Sequence, residues 1–138
     1  MSLKLSIVTP ETVAFADQVD SVVLPGFDGE LGVLESHVPL VTNLQPGELV
    51  FRKSGKEVHL AVGEGFVEIT QHEVNVLADL AIEEEGIQED MVEKALQSAQ
   101  KALEDKGADH TPEEVAALQA SIAKSLAQLK VKRRRRSV

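Results

Sequence analysis

The sequence predicts an α+β protein, with an N-terminal antiparallel β-sandwich or flattened barrel followed by a C-terminal antiparallel α-helical hairpin. Two observations support this fold class. Up to residue 86, apolar residues alternate with the two-residue period of strands, and turn signals recur about every 8–12 residues. From residue 87 onward, apolar residues recur at the three-to-four-residue spacing of amphipathic helices. We therefore expect two domains, residues 1–86 and 87–138.

The strand prediction comes from short β-rich runs bounded by turn residues. The runs are LKLSIV, VDSVVLP, ELVF, KEVHLAV, GFVEIT and EVNVLAD, and the segments between them include PGFDGE, QPGE, SGK, GEG and QHE. In the first run, Leu3, Leu5 and Ile7 share one face, as the pleat of a half-buried strand requires. This spacing is typical of an antiparallel sandwich or small barrel.

The helix prediction comes from two apolar stripes and one capping signal. Thr111 followed by Pro112 and two glutamates is typical of a helix N-terminus. The first stripe, in residues 88–104, is Met91, Val92, Ala95, Leu96, Ala99, Ala102 and Leu103; the second is Val115, Leu118, Ile122, Leu126 and Leu129, interrupted by Gln119 and Ser125.

Alanine is frequent in and beside these two stripes. Such helices approach closely but bury little apolar area per residue, so the hairpin alone is marginally stable. We therefore expect a hairpin that is held weakly enough to adopt docked and extended states.

Composition and charge narrow the classes of partner. The 138 residues carry a net charge of -9, and they include no Cys, Trp or Tyr. Residues 1–86 have a net charge of -11 and residues 87–138 of +2, with six of the ten basic residues of the second part in KVKRRRR. An acidic body with few aromatics argues against a nucleic-acid partner. The first residues, MSLKLSIVTPETV, do not resemble a signal peptide.

The stretch LPGFDGELGVLESHVPL is the main candidate for chemistry, because it places Asp28, Glu30, Glu35 and His37 among glycines. The four histidines, His37, His59, His72 and His110, show no ligand spacing, so we predict no metal site. Glycine-flanked acids are typical of solvated turns, and no known nucleotide-binding or nucleophile motif is present. We therefore predict no catalytic residue and no cofactor.

Three segments carry a resemblance to a known family. They are GELGVLESHVPLVTNLQPG (29–47), GFVE with VNVLADLA (65–68 and 74–81), and SLAQLKV (125–131). Together they resemble the epsilon subunit of the F-type ATP synthase, which is called delta in mitochondria. Two departures stand out: Glu35-Ser36 replaces a Pro-Gly pair, and Ser125 stands where the family has alanine.

This resemblance implies a non-catalytic central-stalk (rotor) subunit whose sandwich has about ten strands and docks on the gamma subunit and the c-subunit ring. It implies that the c ring is contacted by Asp28, Glu30 and His37. It also implies a hairpin that either folds against the sandwich or extends toward the alpha/beta catalytic head, where it inhibits ATP hydrolysis.

The basic tail consists of Lys130, Lys132, Arg133, Arg134, Arg135 and Arg136. By resemblance, these residues contact an acidic segment of the beta subunit, and charge complementarity makes such a contact salt-sensitive. A frayed, solvated end remains the alternative.

Some family members bind ATP on the hairpin through an acid and several arginines. At those positions this sequence has Gln88, Met91, Lys124 and Gln128. Neither methionine nor lysine reproduces the two-pronged hydrogen bonding of a guanidinium. We therefore predict no nucleotide-binding site.

The resemblance and the N-terminus favour a peripheral protein on the cytoplasmic side of a bacterial inner membrane, bound there only through its complex. Two other classes remain open at the level of sequence. One is a free-standing β-sandwich binding module with a helical oligomerisation tail. The other is a small hydrolase that uses Asp28, Glu30 and His37.

Overall fold

A computed structural model describes residues 3–34, 36–105 and 109–136. The strands are β1 (Leu3–Val8), β2 (Val13–Val19), β3 (Ser21–Gly26), β4 (Gly29–Val33), β5 (Leu40–Leu44), β6 (Gly47–Lys53), β7 (Lys56–Val62), β8 (Gly65–Ile69), β9 (Glu73–Ala78) and β10 (Ala81–Glu83). A 3-10 turn (Glu84–Gly86) leads to helices α1 (Glu89–Glu104) and α2 (Pro112–Arg136). The predicted fold class is confirmed.

The ten strands form one rolled, nearly closed sheet in the order β10-β7-β6-β3-β5-β8-β9-β1-β2, with β4 added beside β3. Neighbouring strands pair in antiparallel fashion except β1 and β9, which are parallel. The sequence did not predict this parallel pair, because it joins strands about 70 residues apart and no local turn fixes it.

The core lies inside the rolled sheet and follows the predicted alternation. The inward-facing side chains of β1 are fully buried and belong to one buried cluster with side chains from the other strands, while partly buried side chains such as Phe15 pack at its margin. The large members of this core are Leu3, Leu5, Ile7, Leu24, Leu44, Leu49, Phe51, Leu60 and Ile69. The rings of Phe15 and Phe51 pack with centroids 4.3 Å apart, which closes the space between β2 and β6.

Two-residue turns set the strand register. Ser54 and Gly55 link β6 to β7 and both have positive φ angles (53° and 79°), as the favoured hairpin turn requires. Phe27 and Asp28 also link β3 to β4 in two residues, but there the positive φ angle (115°) falls on Gly29, the first residue of β4.

The sequence places Asp28 and Glu30 among solvated turns, but Gly29–Val33, which contains Glu30, forms strand β4. The physical reason is that a two-residue turn leaves β4 in register with β3, where β4 gains a full ladder of hydrogen bonds. Periodicity also missed strands β2, β5 and β10, which have little alternation or only three residues.

The helical hairpin is antiparallel, because the Arg133 guanidinium near the end of α2 reaches Glu89 and Glu93 near the start of α1. The predicted cap is confirmed: the Glu114 amide donates to the Thr111 hydroxyl at 3.1 Å. The prediction that Met91 and Leu126 lie in the buried stripes is wrong.

The side chains that α2 buries are Ser125, Ala127, Leu129 and Val131. Helix α2 packs on α1 and also on β6 and β7. Its buried face is therefore wider than the apolar stripe that packing on α1 alone would need, and it is rotated relative to that stripe.

Candidate interaction surfaces

Helix α2 covers one half of the rolled sheet through a small apolar contact. Its fully buried members are Ala61 on β7, Ile87 before α1 and Val131 on α2, and Ile82 and Val92 pack at the edge. The sandwich core, by comparison, contains seventeen buried side chains. The apolar contribution to docking the hairpin is therefore a small fraction of what holds the sandwich together.

Polar contacts surround that small apolar cluster. Lys124 of α2 forms an ion pair with Asp79 after β9 at 2.7 Å. The Lys132 ammonium donates to the Glu84 carbonyl oxygen at 3.3 Å. These contacts tie α2 to the β9–β10 connection and to the 3-10 turn, which follows β10.

An apolar stripe lies on the other half of the sheet. It consists of Val8, Val13, Phe66 and Leu77, which are neighbours across β1, β2, β8 and β9. Val13 is 60% exposed, Phe66 46% and Leu77 43%. A cleft of about 370 Å³ lies beside them, lined further by Pro10, Gly65 and Ala78. Large apolar side chains grouped on one face are typical of a protein–protein contact.

Acidic side chains border the apolar stripe. Glu64 lines the cleft beside Phe66, and Glu11 lines an adjoining depression. Among the described residues, neither the cleft nor this depression has a Lys or Arg in its lining. A partner with an apolar centre and basic groups around it would complement this surface.

The structure separates the three residues predicted to contact the c ring. Asp28 and Glu30 are exposed at the β3–β4 end, where Gly26 pairs with Leu44 at the end of β5. His37 lies near the opposite end of β5, and its Nδ1 is 2.6 Å from the Val38 carbonyl oxygen. The two ends of this five-residue strand are about 13 Å apart. These residues therefore form two separate sites, and the c-ring contact expected of them stays a prediction.

The connection before His37 has a left-handed backbone at Ser36, the position at which the resemblance places a glycine. Ser36 has φ 66°, and its amide donates to the Gln71 carbonyl oxygen at 2.9 Å. An L-residue in this conformation costs roughly 1–2 kcal/mol, which glycine avoids. Glu35 lies outside the described residues.

The basic tail is the last part of α2. Lys130 is exposed and shares a groove of about 340 Å³ with Glu30 and Glu48. The Arg133 guanidinium forms ion pairs with Glu89 at 3.4 Å and Glu93 at 3.1 Å. Arg134, Arg135 and Arg136 belong to α2, but their side chains lie outside the described part of the chain. The beta-subunit contact of this tail stays a prediction.

The structure places the four positions at which the resemblance implied that ATP-binding residues are lost, Gln88, Met91, Lys124 and Gln128. Met91 is exposed, Lys124 is engaged by Asp79, and Gln88 precedes the first turn of α1. Gln128 is half-buried on α2. The predicted lack of ATP binding remains a prediction for calorimetry to test.

Two polar clusters were not found from the sequence. On β6 and β7, the His59 Nδ1 lies 3.0 Å from a carboxylate oxygen of Glu48, whose side chain is 8% exposed. The register that the Ser54-Gly55 turn sets makes these two residues diagonal neighbours, so a turn-based register would have found them.

The second cluster links the two helices. The ring of His110 lies 2.8 Å from the Ala102 carbonyl oxygen and 3.4 Å from a carboxylate oxygen of Glu114. The carbonyl first, and then the carboxylate, raise the pKa of His110 above its usual value.

The described residues offer neither a metal site nor a membrane-spanning helix. No group of three or more His, Asp or Glu side chains within them could hold a metal ion. None of the helices formed by these residues is long and apolar enough to cross a membrane.

A β-sandwich with an apolar stripe on one half and a helical hairpin docked on the other has the architecture of an assembly subunit. The family model described as "ATP synthase, Delta/Epsilon chain, beta-sandwich domain" matches residues 2–84. The chain therefore belongs to the delta/epsilon family of ATP synthase subunits.

Relatives support this membership over the hairpin as well as the sandwich. The chain is 39% identical to the ATP synthase epsilon chain of Nitratidesulfovibrio vulgaris (strain DP4) over 133 residues, which cover 95% of this chain and 96% of that one. It is 35% identical to the epsilon chain of Herpetosiphon aurantiacus over 137 residues, 99% and 98% of the two chains.

Solved structures support the fold. A chain of the Euglena gracilis mitochondrial ATP synthase (OSCP/F1/c-ring) superimposes with a TM-score of 0.77 at 20% identity, covering 94% of this chain and 79% of that one. A chain of the Tetrahymena thermophila enzyme (central stalk/c-ring) gives 0.63 at 12% identity, with 96% and 97% coverage.

Proposed function

We propose that this protein is a non-catalytic central-stalk subunit of an F-type ATP synthase. It turns with the rotor, couples ion flow to ATP synthesis, and restrains ATP hydrolysis through its hairpin. The observation that carries this proposal is the division of the sandwich into an uncovered half, which bears the apolar stripe, and a half on which the hairpin is weakly docked.

The gamma subunit occupies the apolar stripe in this proposal. Val13, Phe66 and Leu77 supply apolar area that is exposed in the isolated chain. Burying that area drives association, and the acidic border selects a partner face that carries basic groups. The stripe lies on strands other than β6 and β7, on which α2 packs, and the docked hairpin reaches the edge of the cleft through the Lys124–Asp79 ion pair.

The c ring meets the sandwich at the two sites described above, Asp28 with Glu30 and the loop at His37. Both sites are exposed or half-exposed and offer carboxylate and imidazole groups for hydrogen bonds to polar loops. Two contacts about 13 Å apart resist tilting of the sandwich on the ring better than one contact does.

The hairpin serves as the regulatory element. Within the described residues, the apolar cluster that joins it to the sandwich has three fully buried side chains, so undocking exposes little apolar area. Once released, α2 would carry its basic tail toward an acidic segment of beta on the catalytic head. Two states of similar free energy are what such a switch requires.

This chain performs no step of catalysis in the proposal. It lies at the cytoplasmic side of a bacterial inner membrane because the complex to which it binds lies there. Relatives named as epsilon chains in bacteria support this location.

Co-expression with gamma and c subunits tests the proposal. The chain should co-purify with gamma and with the assembled ring. Glu30→Ala combined with His37→Ala should weaken retention on the ring while leaving gamma binding intact. Purification of the chain alone from such cells would contradict the assignment to the central stalk.

A further inference from the structure

The second half of α2 makes charged contacts with two separate parts of the molecule. Lys124 pairs with Asp79 at the edge of the sandwich, and Arg133 pairs with Glu89 and Glu93 of α1. The two cationic residues are nine positions apart, which corresponds to about 13 Å along a helix. One pair therefore fixes α2 on the sheet and the other fixes it on α1.

These ion pairs surround an apolar contact that is too small to define the docked position alone. Ala61, Ile87 and Val131 are its only fully buried members within the described part of the chain. Small and largely aliphatic contacts tolerate sliding, whereas charged pairs at fixed positions specify one register. The polar contacts are thus well placed to decide how far the hairpin stays docked.

The exposure of these side chains suits a reversible contact. Lys124 and Asp79 are 31% and 40% exposed, and Arg133 is 47% exposed while Glu89 is 16% exposed. Partly exposed pairs are individually weak and are screened by salt, so they break and re-form without a large desolvation penalty.

Arg133 also belongs to the basic tail to which the proposed function assigns the contact with the head. In the docked state its guanidinium lies against two carboxylates of α1. A guanidinium held by Glu89 and Glu93 cannot at the same time occupy an acidic surface on another subunit.

We propose that Lys124–Asp79 and Arg133–Glu89/Glu93 form a hairpin latch. The first pair holds α2 on the sandwich and the second holds α2 on α1, so together they keep the regulatory hairpin closed and docked. The inhibitory contact and the latch compete for the same guanidinium, so the hairpin restrains hydrolysis only after the latch has opened. The latch itself is a property of this chain; its competition with the head rests on the proposed function.

The latch can be measured in the isolated chain, because the protein has no native cysteine. Spin labels at Gln71→Cys, in the β8–β9 turn, and Ala116→Cys, on α2, report the distance between the sandwich and the hairpin. Both positions are exposed. The number of molecules at the docked distance, divided by the number at longer distances, is the docked ratio, and it reports the docked population directly.

The test compares charge-neutralising variants that keep side-chain size. Glu89→Gln/Glu93→Gln should lower the docked ratio about two- to fivefold for each ion pair lost. Asp90→Asn/Glu104→Gln removes the same number of charges from α1 outside the latch and should leave the ratio unchanged. In about 1 M salt, where screening acts within about 3 Å, the latch variants and wild type should converge.

A double-mutant cycle tests the second pair. Lys124→Gln and Asp79→Asn should each lower the docked ratio, and combining them should lower it little further, because either change breaks the same pair. Fully additive effects, or a docked ratio in Glu89→Gln/Glu93→Gln equal to that of its control, would overturn the latch.

The competition is tested in the assembled enzyme. Glu89→Gln/Glu93→Gln should inhibit ATP hydrolysis more strongly than Asp90→Asn/Glu104→Gln, since it frees Arg133. A latch variant that shifts the distances without deepening inhibition overturns the competition. If removal of residues 87–138 does not raise hydrolysis, the proposed inhibitory function fails, while the distances still report on the latch.

Discussion

Phe66 gives the most quantitative test of the apolar stripe. Its side chain is 46% exposed in the isolated chain. A phenylalanine buries about 200 Å², so complete coverage by a partner would remove about 90 Å² more from water. At about 25 cal/mol per Å², this burial stabilises the complex by about 2.3 kcal/mol, which is about 40-fold in Kd. Phe66→Ser should therefore weaken gamma binding by roughly that factor.

The assay is a titration of purified gamma-containing complex with labelled wild-type and variant chains. Met91→Ser is the matched control, since Met91 is 65% exposed but lies on α1 outside the stripe. Its Kd should stay within about twofold of wild type. Thermal unfolding of each variant checks that the sandwich remains folded. Equal Kd values for Phe66→Ser and Met91→Ser would refute the assignment of gamma to the stripe.

Three further predictions concern stability. Ser36→Gly should stabilise the fold by about 0.5–1 kcal/mol, because it relieves the left-handed strain of Ser36; a fall in the thermal midpoint would contradict the turn geometry. Gly65→Ala should destabilise it by about 3 kcal/mol, since a methyl group there would lie 1.7 Å from a backbone carbonyl oxygen of β9; an unchanged denaturant midpoint would show that the two strands are further apart. The pKa of His110 is raised by the Ala102 carbonyl and by Glu114. The contribution of His110 to folding stability is therefore complete below its ordinary pKa of 6.5 and is lost as pH rises through the raised pKa. His110→Gln should therefore lose more stability at pH 6 than at pH 8, and a loss independent of pH would contradict the contact with Glu114.

The strands that could be predicted from the sequence are those with local signals. Leu3, Leu5 and Ile7 alternate cleanly, and all three are buried as expected. The Ser54-Gly55 turn fixes β6 and β7, and Thr111 fixes the start of α2. Each of these features depends on residues close together in the chain, which is why periodicity and turn chemistry found them.

The missed features depend on distant neighbours. The parallel pairing of β1 with β9 needs the whole sheet to roll. The exposure of Leu126 and the burial of Ser125 depend on where α2 sits between α1 and the sandwich, which its own stripe does not specify. Helix periodicity gives a buried face, but a second packing partner rotates and widens that face.

The candidate sites also include features that local sequence signals predict and features that depend on residues far apart in the chain. The residue types in the 29–47 segment indicated a docking surface, but the sequence did not show that Glu30 and His37 lie at opposite ends of β5. The apolar stripe was not found at all, because Val13, Phe66 and Leu77 come from separate strands and meet only across the ladder. The ion pairs of Lys124 and Arg133 likewise span 45 and 40 to 44 residues.

The central claim is that the sandwich attaches this chain to the rotor while the hairpin restrains hydrolysis. Titration of a gamma-containing catalytic head with the full-length chain and with residues 1–86, monitored by ATP hydrolysis, tests it most directly. We expect both proteins to bind gamma, the full-length chain to lower hydrolysis to a plateau, and the truncated chain to leave it high. Equal inhibition by the two proteins, or saturable binding with no inhibition by either, would contradict the regulatory role of the hairpin.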